Sequence, residues 1–127
     1  MPATTSKPAK SVIKILYAES DEQALATNAA EIQKAGHHVT TALSRDEVQQ
    51  KLRSDAFDLV ILGSTMSKDD RHHLPYMVKK AHEGTKVLVM HAGTHHHEVE
   101  LAVDSGISMV LLLEKIAALL QPVGVHY

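Results

Sequence analysis

Four apolar residues in succession, Leu59-Val-Ile-Leu62, place the tightest constraint on how this chain folds. A strand open to water on one face alternates apolar and polar residues, whereas an unbroken apolar run needs cover on both faces. Val12-Ile-Lys-Ile-Leu-Tyr-Ala18 and Lys86-Val-Leu-Val-Met-His91 have the same β-branched, apolar character. Helical segments lie between these strands. Glu19-Ser-Asp-Glu22 is an acidic helix start, followed by Leu25, Ala29 and Ile32 at helical spacing and closed by Gly36. His38-Val-Thr-Thr-Ala42 is a short second strand, and Ser44-Arg-Asp-Glu47 is a capping box ahead of Val48 and Leu52. Leu74, Met77, Val78 and Ala81 predict a third helix with Pro75 in its first turn. A fourth helix is expected from Thr94 through Val99, Ala102 and Val103 to Gly106, then a fifth strand over Ile107–Leu112 and a last helix over Leu113–Gln121. Five strand–helix units predict an α/β fold, a three-layer (βα)5 arrangement around a five-stranded parallel sheet.

At 127 residues the chain is the size of one domain, expected over 11–122, with tails at 1–10 and 123–127. No apolar run exceeds five residues, Met109–Leu113 among them, which excludes a membrane-spanning helix of about 20 residues. The net charge of −2 argues against a nucleic-acid partner held by a basic face. Lys14 and Glu19 interrupt any apolar stretch near the start, so no secretory leader is expected. The absence of cysteine excludes disulfides, thiolate metal sites and cysteine nucleophiles, and the expected setting is cytoplasmic.

In open α/β sheets ligands bind beyond the carboxyl ends of the strands. Those ends carry Glu19-Ser20-Asp21, Gly63-Ser-Thr-Met66 and His91-Ala-Gly93, with Asp69, Asp70, His72, His73 and His95 to His97 in the loops behind. Ile15-Leu-Tyr-Ala-Glu-Ser-Asp-Glu22, Phe57-Asp-Leu-Val-Ile-Leu-Gly63, Val87-Leu-Val-Met-His-Ala92 and the Ser105-Gly106 turn resemble the receiver domain of two-component response regulators over residues 12–121. The resemblance implies a flavodoxin-like sheet of order 2-1-3-4-5 and a role in bacterial phosphorelay signalling, without enzyme activity. It also implies a phosphoacceptor aspartate at the end of strand three, and that position is Gly63. The family's two acids after strand one correspond to Glu19 and Ser20, with Asp21 the nearest surviving acid. Its strand-four hydroxyl corresponds to His91, followed by Ala92, its strand-five lysine to Leu113, and its strand-five aromatic to Val110. Loss of two of three carboxylates predicts weak or absent Mg²⁺ binding and no other cofactor. The chain is expected to be a degenerate receiver, a pseudo-receiver lacking the phosphoacceptor, that acts through a protein partner. With seven residues after Leu120, it is expected to be a stand-alone adaptor or a piece of a longer protein.

Two alternatives carry their own residues. A phosphorelay receiver with a displaced acceptor would use Asp69 or Asp70, although such residues more simply cap a helix. A metal- or pH-responsive module would use Glu19, Asp21, His91 and His95 on the rim, drawing on the ten histidines whose protonation would move the net charge from −2 to +8. A catalytic triad of Ser20, His91 and Glu19 lacks the nucleophile-elbow glycine pattern. The favoured role for His91 is to lean over Gly63 toward Glu19 as a structural plug. The resemblance places partner contacts, or a homodimer, on the face of the fourth helix, fifth strand and fifth helix, here Val99, Val103, Met109, Leu111, Ile116 and Leu120.

Overall fold

A computed structural model describes residues 13–90, 99–104 and 106–120. Five parallel strands form one sheet in the order β2-β1-β3-β4-β5: β1 Lys14–Ala18, β2 His38–Ala42, β3 Leu59–Leu62, β4 Lys86–Met90 and β5 Leu101–Val103. Four helices are described: α1 Glu22–Lys34, α2 Arg45–Ser54, α3 Lys68–Ala81 and α4 Met109–Leu119. All four residues of β3 are buried, because the sheet is covered on both faces. Strand parity divides the core. Ile15, Tyr17, Leu59, Ile61 and Leu88 face α1 and α4, meeting Leu25, Ile32, Leu112 and Ile116. Leu16, Ala18, Val60, Leu62, Val87 and Val89 face the opposite way, toward Val48 and Leu52 of α2 and Leu74 and Val78 of α3. The flavodoxin-like order and the three layers are as the sequence predicts.

Local signals account for most element boundaries. Asp21 caps α1 by accepting from Ala24 N at 2.8 Å, and Gly36 follows the helix at φ +104°, where a Cβ is disfavoured. Ser44 accepts from Glu47 N, and Glu47 Oε1 accepts in return from Leu43 N at 2.7 Å, a variant of the expected capping box. Asp58 closes the opposite end of the sheet by accepting from Lys14 N at 2.8 Å.

Three expectations are corrected. The third helix begins at Lys68, ahead of the predicted start at Leu74, and is capped by Ser67, so Pro75 lies inside it. It has no N–H to donate four residues back, and its buried ring packs with Leu74 and Val78 instead. In the last third of the chain, Leu101–Val103 is a strand, not the end of a fourth helix. Met109–Leu119 is a helix, not a strand followed by a helix. Ser108 caps it, accepting from Leu111 N at 3.2 Å. Val103 and Ile116, expected at a partner face, are therefore in the core, and Val99, Met109 and Leu120 are half-buried. Of those six residues only Leu111 is exposed, beside Val110 at 71%. The expected tails, 1–10 and 123–127, lie outside the described residues.

The β5 edge is tethered from below. Glu100 Oε1 accepts from Val87 N and its Oε2 from Lys79 Nζ, both at 2.7 Å, tying α3 and β4 to the residue that enters β5. Among the described residues, no helix is long and apolar enough to cross a membrane.

The placement of α4 has a direct test. Ile116→Ala should lower stability by about 2–4 kcal/mol in urea denaturation, the range for emptying a filled core position. Leu111→Ala should stay within about 0.5 kcal/mol of wild type, as exposed substitutions do. Equal losses at the two positions would contradict this helix register.

Candidate functional site

The strand order reverses between β1 and β3, and the chain leaves these two neighbours at Glu19 and Gly63. This is the switch point at the carboxyl edge of the sheet where α/β folds place their ligands. Gly63 N donates to Ala18 O at 2.8 Å and Glu19 N to Ala42 O at 3.2 Å, so both backbones are fixed by extensions of the sheet ladder.

Glu19 follows Tyr17 by two residues and so points to the same side of β1. It is 1% exposed, the most deeply buried ionisable residue described apart from Tyr17. Its Oε2 accepts from the Tyr17 hydroxyl, which in turn accepts from Asn28 Nδ2 on α1 at 2.9 Å. Its Oε1 accepts from Thr65 N at 2.9 Å and from Thr65 Oγ1 at 2.5 Å. The Thr65 hydroxyl also accepts from Ser20 N at 2.9 Å and Asp21 N at 3.0 Å. Both carboxylate oxygens and the Tyr17 hydroxyl are thus hydrogen-bonded, which offsets the cost of burying the carboxylate.

Gly63 explains where the carboxylate lies. A Cβ built on Gly63 would stand 1.9 Å from Glu19 Cδ and 2.1 Å from each carboxylate oxygen. The carboxylate therefore fills the space that any side chain at position 63 would enter. The predicted gap over Gly63 exists, but the described residues that close it are Glu19, Tyr17 and Thr65. His91, the expected plug, lies outside the described residues, as do Ala92 and His95 to His97.

The other expected site residues separate into distinct roles. Ser20 contributes its backbone N–H to Thr65, and Asp21 spends its carboxylate on the α1 cap. Asp69 and Asp70 stand in the first turn of α3, with Asp70 Oδ1 3.6 Å from Arg45 Nη1, and His72 and His73 follow in the same helix. Leu113 is inside α4, so it does not end a strand. Val110 is likewise inside α4, and the residue that follows β5 is Asp104. Among the described residues, no group of three or more His, Asp or Glu side chains converges to hold a metal.

The residues at the switch point do not fit Mg²⁺. Mg²⁺ takes hard oxygen ligands in near-octahedral geometry. Gly63 offers no side chain, and both Glu19 oxygens are engaged by Tyr17 and Thr65. Tyr17, Asn28 and Thr65 are the functional residues that sequence reasoning missed. The available signal was the Tyr17–Glu19 alternation, which aims a hydroxyl and a carboxyl at one side of a buried strand.

Burial, and then the hydrogen bond to Glu19, push the Tyr17 phenol well above the ordinary tyrosine range, while the bond from Asn28 acts the other way. Because the folded value lies above the unfolded one, the resulting stability is fully present below about pH 10 and is lost as pH rises toward the folded value. An absorbance titration should therefore show the Tyr17 phenolate appearing together with alkaline unfolding, not before it. Tyr17→Phe should remove that late step and cost about 1–3 kcal/mol in denaturant, because Glu19 loses a buried donor.

No protein-family model and no curated protein matches the chain. Solved structures do match it. The wild-type response regulator TrrA of Thermotoga maritima in complex with Mg²⁺-BeF is 22% identical, with a TM-score of 0.72 over 85% of this chain and 99% of that one. A two-component response regulator from Clostridium difficile is 17% identical, with a TM-score of 0.76 over 88% and 98%. TrrA in complex with the histidine kinase ThkA aligns at 22% identity and a TM-score of 0.71 over 86% and 99%. The fold of this chain is the fold of response-regulator receiver domains, matched along nearly their whole length.

Proposed function

We propose that the chain is a receiver-like module of two-component signalling that works through protein contacts and accepts no phosphoryl group at the carboxyl end of β3. One observation carries the reading: the Glu19 carboxylate fills the space of a side chain at Gly63. The acceptor carboxylate is replaced by a hydrogen, and the cavity it would need is occupied by a side chain from the neighbouring strand. Asp21 caps α1 and Asp70 lies beside Arg45, which favours a structural role for both over that of a displaced acceptor. The module catalyses no reaction of its own and operates in a bacterial cytoplasm.

A protein partner fits the fold, since TrrA, a structural neighbour, forms a complex with a histidine kinase. Here the exposed apolar pair Val110 and Leu111 on α4 offers the contact, for a signalling protein or a second copy of the chain.

Incubation of the full chain with a small-molecule phosphodonor and Mg²⁺, followed by intact-mass measurement, tests the reading. The expected result is an unchanged mass. A stable gain of about 80 Da, the mass of one phosphoryl group, would overturn it.

A further inference from the structure

We infer that Glu19 and Thr65 form a built-in latch that holds the β1–α1 and β3–α3 loops in one fixed arrangement, so that the state of this site is set when the chain folds. The inference rests on the reading above that no group is transferred to the end of β3, and it names how the site is regulated instead.

Thr65 makes the connection. Its hydroxyl is the meeting point of three bonds: it accepts from Ser20 N and Asp21 N and donates to Glu19 Oε1. Its own N–H adds a fourth tie to the same carboxylate oxygen. Four bonds thus run from a single residue, two after Gly63, across to three consecutive residues after β1. The carboxylate is anchored from behind by Tyr17, which Asn28 connects to α1. The chain of contacts begins on a helix at the rear of the sheet and ends at an exposed residue on its carboxyl rim.

The logic of a switch requires room for a second arrangement at the same place. Here a carboxylate already stands where a side chain at position 63 would project, and Thr65 of the following loop is already bonded to it. The two loops therefore move as one unit or not at all. A partner that reads this rim meets a single surface, independent of any phosphodonor.

Amide hydrogen exchange by NMR on the full chain tests the latch. Thr65→Val removes the hydroxyl and keeps the shape of the side chain, and any loss of global stability is read in the same experiment from the core strand. Exchange of the Ser20 and Asp21 amides should then accelerate about tenfold or more relative to wild type, as for amides released from a local tie. The Leu59–Leu62 amides should shift only by the common factor set by global stability. Thr65→Ser, which keeps the hydroxyl, should restore protection. In Glu19→Gln the Thr65 amide should exchange faster. Unchanged Ser20 and Asp21 exchange in Thr65→Val would overturn the latch. A chain with freely exchanging loops that gains no phosphoryl mass loses the latch and keeps the reading above. A chain with protected loops that does gain mass loses the reading above.

Discussion

The carboxyl edge of the sheet depends on one steric exclusion. Glu19 and the side-chain position of residue 63 claim the same volume, with the carboxylate about 2 Å from where a Cβ would stand. Glycine at 63 is what admits the carboxylate, and the buried carboxylate is what gives Tyr17 and Thr65 a shared acceptor. A buried carboxylate without such partners would cost several kcal/mol. Partial satisfaction would leave the strand end unstable, so the glycine, the glutamate and their donors make sense only together.

The strand order, the two core faces and the length of the chain match the receiver fold. At the switch point the described residues form a closed hydrogen-bonded group around the Glu19 carboxylate. The group fills the space over Gly63 and ties the β1–α1 and β3–α3 loops together.

Much of this was legible in the sequence. Strands β1, β3 and β4 declared themselves because burial on both faces leaves a near-continuous apolar run, and the acidic start at 19–22 and the Ser44 capping box marked the first two helices. The last third misled for a physical reason. Met109-Val-Leu-Leu-Leu113 is a continuous apolar run that periodicity alone cannot assign to strand or helix. It belongs to α4, capped by Ser108, while the true edge strand is only Leu101–Val103, too short to carry a pattern. At the site, Gly63 and Glu19 were identifiable by position, but their competition for one volume was not, because it depends on the side-chain direction at two adjacent strand ends. Tyr17 looked like an ordinary core residue, and Thr65 like an ordinary loop residue. The histidines at 72 and 73 lie on α3.

The shared volume of Glu19 and Gly63 is tested most directly by their coupling energy in a double-mutant cycle. Gly63→Ala should destabilise the wild-type chain by about 1–3 kcal/mol, because the new methyl group must drive a hydrogen-bonded carboxylate from its place. In a Glu19→Ala background the same change should be close to neutral or mildly stabilising, as glycine-to-alanine changes are where space permits. An equal loss in both backgrounds would contradict the account.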